Sequence, residues 1–249
     1  MDRKTTHYVY VTRRRLTPNV KRQTSTFTFT FTFTLTSEWQ HRLSVRNVES
    51  PTAMKNTKHN RPRCFWCSDD PIYLDYHDNE WGVPVHDDQK LFEMLILEGA
   101  QAGLSWLTIL KRREGYRAAF ANFDIEKVAR FTPRQIERLM TNEGIIRNRL
   151  KIEGTVKNAR AALTLLDERD SLTEYLWSFV EGRPIRTPGP LSRDNYRTTS
   201  PESDALSKDL KKRGFTFVGS TIMYAFMQAV GMVNDHEDTC FKAPSRLRR

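Results

Sequence analysis

Cysteine, histidine and one misplaced carboxylate are the residues in this chain that point to chemistry. Cys64, Cys67, His77 and His86 lie in one short stretch, and the chain returns to the same ligand types far downstream in His236-Glu237-Asp238-Thr239-Cys240. A His and a Cys four apart can face one ion from a helical turn or a tight loop, and zinc favours four such ligands in a closed tetrahedral site. An ion there would join two distant parts of the sequence. Buried histidines and ordinary core thiols are the alternative. Spacing does not fix the upstream pair, because Cys64-Phe65-Trp66-Cys67 is itself a C-x-x-C. His236-Glu237-x-x-Cys240 is also one substitution from the H-E-x-x-H of metalloproteases, with Glu237 as the base. It lies near the chain end and off a long helix, and an open coordination position would mark it as catalytic.

Glu98 stands on the apolar stripe formed by Leu91, Met94, Leu95 and Ala102. A buried carboxylate costs several kcal/mol, on the order of ~3–5, when it lacks a partner. Such a residue therefore has a partner, a raised pKa or a ligand, unless the helix ends near Gly99 and turns it outward. Around it the sequence is rich in aromatic residues: Phe65, Trp66, Tyr73, Tyr76, Trp81, Phe92 and Trp106 include three of the five Trp. Aromatic faces stack on nucleobases for about 1–3 kcal/mol per base, and a cationic base adds a cation–π attraction. A Trp-rich core is the competing explanation. The last candidate is Glu143-Gly144-Ile145-Ile146-Arg147-Asn148, which joins two helical patterns between Gln135 and Ala162. A Gly-bearing hairpin exposes backbone N–H groups where the next helix begins, which suits a phosphate. Arg147, Arg149 and Lys151 add positive charge there, and a plain pair of helices would look the same. Lys208, Lys211, Lys212 and Arg213 form a second basic run, either the other flank of a groove or a solvated face.

Helices must position these groups. Asp87 and Asp88 can cap the helix that carries Glu98, and Thr132-Pro133-Arg134-Gln135 has the form of a capping box with Pro at the first helical position. Ile152, Val156, Ala159, Leu163 and Leu166 recur at helical spacing. Ser200 to Arg213 reads as a helix ended by Gly214, and Ser220 to Val230 as an apolar helix ended by Gly231. Phe215 to Val218 reads as extended, and 183–199 as a loop containing Pro and Arg. There is no run of strands and no βαβ rhythm, so the body is expected to be all-α.

The 249-residue chain carries a net charge of +10, distributed unevenly. Residues 1–60 hold 11 Lys and Arg against 3 Asp and Glu, a net of +8, and the rest is close to neutral. Contact with a polyanion by the body must therefore use a local patch. No stretch approaches the roughly 18 apolar residues of a membrane-spanning helix, and three Cys are too few for a disulfide framework. From Thr24 to Thr36 Thr alternates with Ser25, Phe27, Phe29, Phe31, Phe33 and Leu35, a strand-like and aggregation-prone pattern. The first 60 residues read as a transit peptide, a DNA-tethering arm or, the preferred reading, the product of a start placed too far upstream, with Met54 just before the compositional change.

Taken together, the strings around these residues closely resemble the 3-methyladenine DNA glycosylase I family. They include Tyr76-His77-Asp78-Asn79-Glu80-Trp81-Gly82-Val83-Pro84, Leu97-Glu98-Gly99, Gln101-Ala102-Gly103-Leu104-Ser105-Trp106, Gly144-Ile145-Ile146-Arg147, Lys157-Asn158-Ala159-Arg160, Leu210-Lys211-Lys212-Arg213-Gly214-Phe215 and Val233-Asn234-Asp235-His236. The resemblance spans residues 61–242 and leaves 1–60 and a basic 243–249 tail outside. It implies a helix-hairpin-helix base-excision fold with one structural zinc held by Cys64, His77, His236 and Cys240, and so leaves out Cys67 and His86. It further implies a base site of Glu98, Tyr76 and Trp106 with Trp66, Tyr73 and Trp81 nearby. Gln101 and Leu104 would lie at the gap left by the flipped base, and Gly144, Arg147, Arg149 and Lys151 along the DNA backbone. The expected activity is hydrolytic release of 3-methyladenine from alkylated double-stranded DNA by a monomer without lyase chemistry. No carboxylate stands between Lys157 and Leu166, where many relatives of the fold carry an Asp, which suits catalysis dominated by binding. A bacterial-type cytoplasmic location is implied, with organellar targeting by residues 1–60 as the alternative. A non-catalytic zinc-containing DNA-binding module is the competing function.

Overall fold

The computed structural model describes residues 61–244; the alternating Thr/Phe segment, the rest of 1–60 and the last five residues lie outside the described part. Among the described residues every regular element is helical. The α-helices are α1 (Pro71–Asn79), α2 (Asp88–Gln101), α3 (Trp106–Leu110), α4 (Arg113–Ala119), α5 (Ile125–Ala129), α6 (Pro133–Leu139), α7 (Arg149–Leu166), α8 (Leu172–Trp177), α9 (Pro201–Lys212) and α10 (Ser220–Ala229). The nearest thing to a strand is one parallel bridge between Ile185 and Val233. The all-α expectation holds.

The helix ends follow local chemistry. Asp87 accepts the Lys90 N–H at 2.7 Å and caps α2. Thr132 and Gln135 form the reciprocal box that starts α6, and Ser200 caps α9. Asp88 does something else. Its carboxylate accepts the Leu172 and Thr173 N–H groups at 2.9 and 2.8 Å and the Thr173 hydroxyl at 2.6 Å, so it caps α8, far along the chain.

Helix α2 is the central element. Every residue from Leu91 to Ala100 is buried, with α3, α7, α8 and α10 packed around it. A helix buried on all sides leaves no solvent face for Glu98 to turn toward, and α2 runs on through Gln101 instead of ending at Gly99. The segment after α9 is not extended throughout: Phe217 has φ 56°. Asn158 in α7 holds this turn, accepting the Thr216 N–H at 2.7 Å and donating to the Thr216 carbonyl at 3.0 Å. Phe217 then fits between α2 and α7. A Cβ on Gly99 would come within 3.0 Å of the Phe217 Cβ, and one on Gly154 within 3.1 Å of its ring. Asn158 thus serves the fold here, as the amide that shapes this turn.

Candidate active site and metal centre

Five aromatic residues gather beside α2. Trp66 packs against Tyr73, Tyr76 and Trp81 with ring centres 5.3, 6.4 and 4.9 Å away, and Tyr76 meets Trp106 at 5.4 Å. Two elements set this up. Asp70 caps α1, which carries Tyr73 and Tyr76, and Ser105 caps α3, which begins with Trp106. The indole N–H groups of Trp66 and Trp106 are buried and without partners. Buried donors are normally satisfied, so two orphans in one cluster mark a place built for something besides packing.

Glu98 belongs to the same cluster. It is 4% exposed and has no hydrogen bond or ion pair among the described residues. Burial alone raises its pKa to about 8. Its proximity helps raise the phenol pKa values of Tyr73 and Tyr76, although burial is the larger cause for both. A buried carboxyl group close to Tyr73 and Tyr76 and lacking a protein partner suits a ligand that brings its own donors and positive charge.

Trp66 and Trp81 also face the histidines, Trp66 lying 5.3 Å from the His77 ring; Trp81 has the more extensive contact. It meets Trp66 on one side and, on the other, the rings of His236 at 4.5 Å and His77 at 6.2 Å. It forms the wall between the aromatic cluster and a second one, of cysteine and histidine. There Cys64, His77 and Cys240 bring their ligand atoms within 4.8 Å of one another, all buried. His77 Nδ1 is hydrogen-bonded to Asp78 at 2.9 Å, which directs Nε2 toward Cys240 Sγ at 3.5 Å. Asp78 is held in turn by Arg63 at 2.7 and 2.8 Å. This is the outer support that metal-binding histidines require. Sharing with Cys240, together with burial, pushes the Cys64 thiol up; the same contact pulls Cys240 down.

His236 stands next to this trio without joining it, its ring centre 5.4 Å from that of His77. Its Nδ1 is hydrogen-bonded to Asn234 Oδ1 at 2.9 Å, and its Nε2 is buried with no partner. Gly82, at φ 74°, makes room for it: a Cβ there would sit 2.6 Å from His236 Cε1. The loop bearing His236 is pinned by buried Asp235, which accepts the Thr187 N–H and hydroxyl, the Gln228 amide and the Tyr224 hydroxyl. Cys67 lies outside the trio, with its Sγ 3.7 Å from the Ser68 and Tyr73 carbonyls and its pKa raised to about 11 by burial. Exposed His86 stacks on Trp177 at 4.4 Å. The protease-like reading of His236-Glu237-x-x-Cys240 fails on geometry. The segment is not helical, and the Glu237 carboxylate is occupied by the Phe65 N–H at 2.6 Å.

In the segment expected to meet DNA, several groups already have partners within the protein. The Gly144 N–H donates to Asn142 Oδ1 at 2.8 Å, and the Ile146 N–H donates to the Tyr116 hydroxyl at 3.3 Å, so neither is free for a phosphate. The N–H groups of Ile145 and Arg147 have no partner among the described residues. Arg149 is held by Glu137 at 2.7 and 2.8 Å and by Glu153 at 3.3 Å. Arg147 is half exposed, with only Glu143 nearby at 3.9 Å. Lys151 points inward and donates to the Ala100 and Ala102 carbonyls at 2.8 and 2.7 Å. Gln101 is the last residue of α2 and Leu104 lies in the turn before α3, 38% exposed. Sequence reasoning missed the ionic group in which Arg113 joins Glu93 at 2.6 Å and Glu80 at 2.8 Å, tying α4 to α2 and the end of α1. Alternating charges across three helices leave no periodic signal that would reveal it.

The helical fold is that of a DNA glycosylase: residues 66–243 match the methyladenine glycosylase family, and the chain belongs to it. Among its relatives, the chain is 54% identical over 178 residues to DNA-3-methyladenine glycosylase 1 of Escherichia coli strain K12, covering 72% of this chain and 95% of that one. A crystal structure of 3-methyladenine DNA glycosylase I superposes with a TM-score of 0.71 at 55% identity, covering 74% of this chain and all of that one. A variant of 3-methyladenine DNA glycosylase I in complex with 3-methyladenine superposes at 0.69 with 39% identity, covering 74% and 97%.

Proposed function

We infer that this chain is a DNA glycosylase of base-excision repair that releases 3-methyladenine from alkylated double-stranded DNA by hydrolysis. The observation that carries this reading is Glu98, a carboxyl group buried without a protein partner beside a cup of aromatic rings. A target base inside a duplex must leave the stack before it can enter such a site. Tyr76, Trp106 and Trp66 then offer it aromatic faces, and Glu98 accepts hydrogen bonds from its edge. 3-Methyladenine is cationic while attached to the sugar. The site lowers the energy of that cation by ion pairing and cation–π contact, in surroundings where water does not screen the attraction. When the glycosidic bond breaks, its electron pair passes to the base, which leaves neutral, and water adds to the sugar carbon with loss of a proton. Undamaged adenine is neutral and better stacked, and so loses at both steps. Lys90 pairs with Glu80 and Glu93 and Lys151 with backbone carbonyls, so both are engaged within the fold, in keeping with simple hydrolysis.

The second cluster fits a structural zinc. Cys64, His77 and Cys240 supply three ligands, and the orphaned Nε2 of His236 is the natural fourth, since its hydrogen-bonded Nδ1 leaves the Nε2 lone pair free. Four protein ligands close the coordination shell, so the ion's role is to hold the segment before α1 to the segment after α10. Helices α6 and α7 with their connecting loop act as a helix-hairpin-helix, in which the free N–H groups of Ile145 and Arg147 and the Arg147 guanidinium meet a phosphate. Gln101 and Leu104 occupy the gap in the duplex. The glycosylase unit is residues 61–242, flanked by basic extensions at 1–60 and 243–249, and it acts as a monomer. None of the described helices is long and apolar enough to cross a membrane, which is compatible with a cytoplasmic enzyme. Incubation with methylated DNA, scoring released bases by chromatography, tests the reading: DNA binding without base release would make the chain a binding module.

A further inference from the structure

Lys151 breaks a local rule. It lies in the first turn of α7, where the helix dipole disfavours a cation, and no acidic residue accompanies it in that turn. The conflict resolves in a different helix. The last turn of α2 has no basic residue of its own, and its terminal carbonyls include those that Lys151 reaches. Lys151 Nζ donates to the Ala100 carbonyl at 2.8 Å and the Ala102 carbonyl at 2.7 Å. A cation at the C-terminal end of a helix satisfies orphan carbonyls and opposes the dipole. Lys151 thus completes the end of α2 from outside. Its own N–H is held by Asn148, the cap of α7, at 3.1 Å, so the clamp starts at the residue that ends the hairpin.

The clamped carbonyls flank Gln101 and stand immediately before Gly103 and Leu104. Gly103 has φ 77° and no atom within 4 Å of where its Cβ would be, and the Leu104 N–H closes the turn onto the Gln101 carbonyl at 2.6 Å. Glu98 lies one helical turn before Ala102. Phe217 packs between α2 and α7 further along, and Lys151 adds a direct polar link between the start of α7, beside the hairpin, and the exposed turn that ends the Glu98 helix. We propose that Lys151 is a positioning residue for base release, fixing the Gln101–Leu104 turn and the end of α2 against the hairpin, and not a phosphate contact. This inference rests on the glycosylase reading given above.

The two roles separate in one experiment on the full chain. Lys151→Met removes the charge and keeps the aliphatic stem. Binding to undamaged duplex is measured over a salt series, and release of 3-methyladenine is measured in single turnover across enzyme concentrations. A phosphate contact contributes about 0.9 to the slope of log affinity against log salt. The positioning role predicts an unchanged slope, with the saturating rate of release falling at least about tenfold, within the ~100-fold loss that ångström-scale misplacement brings. Lys151→Arg, which restores two donors, recovers the rate to within about threefold of wild type on the same grounds of geometry. If Lys151→Met does not fold at the assay temperature, Lys151→Gln is read in the same way. A slope reduced by about one phosphate's worth with a normal saturating rate, or no change in either quantity, overturns the proposal. A wild-type chain that released no base would instead count against the glycosylase reading.

Discussion

Replacing Glu98 with Gln should stabilise the fold while removing its activity, and the stabilisation should grow with pH. In the unfolded chain a glutamate ionises near its ordinary value of 4.5, whereas in the folded protein burial holds the proton on Glu98 until about pH 8. Between those limits the folded state binds the extra proton, so raising the pH favours unfolding. The variant's amide carries no proton equilibrium. At about 1.4 kcal/mol per pH unit, its advantage should be ~1 kcal/mol at pH 5, ~3 kcal/mol at pH 7 and ~5 kcal/mol above pH 8. Urea unfolding of both proteins at these pH values reads the difference directly from the midpoints, provided the slopes agree. A gap that stays constant from pH 5 to pH 9 would refute the claim that Glu98 is buried without a partner. In the same samples the variant should release 3-methyladenine far more slowly while still binding undamaged duplex, because that affinity rests on phosphates. For the wild type, kcat/KM should rise with pH through about 8 as the carboxylate forms, since this ratio reports the free enzyme's ionisations.

Trp106→Ala should slow release by about 5- to 150-fold, the equivalent of the ~1–3 kcal/mol a stacked base contributes; single-turnover rates check this. Cys240→Ser, His236→Ala or chelation should each lower the unfolding temperature sharply, because a structural zinc contributes on the order of 10 kcal/mol, whereas Cys67→Ser should not; metal content per chain is the companion measurement. Removing residues 1–60 should leave base release intact and reduce nonspecific DNA affinity mainly at low salt, where their net +8 acts most strongly.

The parts of the fold that depend on neighbouring residues were legible in the sequence. Asp87, Thr132 and Ser200 cap the helices they precede, and Gly231 follows α10 with φ 73°. Cys64, His77 and Cys240, far apart in the chain, come together as their ligand types suggested, with His236 beside them. What escaped the sequence was set by contacts between distant segments. Asp88 looked like a second cap for its own helix but serves α8. Lys151 and Arg149 looked like a phosphate-binding pair, yet one is spent on α2 and the other on Glu137. Phe217 departs from an extended path because Asn158 and two glycines shape a slot for it. Glu98 conflicted with its own stripe, and the structure keeps that conflict: the carboxyl group is buried, not turned outward. Trp81 could not be told from its neighbours by type, and only the packing shows that it backs the histidines.

The central claim is that a buried, unpartnered carboxyl group within an aromatic cup selects a cationic methylated base. It is tested most directly by incubating the full chain with methylated duplex DNA and resolving the released bases by chromatography, with Glu98→Gln alongside. The expected result is 3-methyladenine as the released base, no free adenine from undamaged DNA, and a release rate for Glu98→Gln lowered far more than its DNA affinity. Release of undamaged adenine at a comparable rate, or normal release by Glu98→Gln, would contradict it.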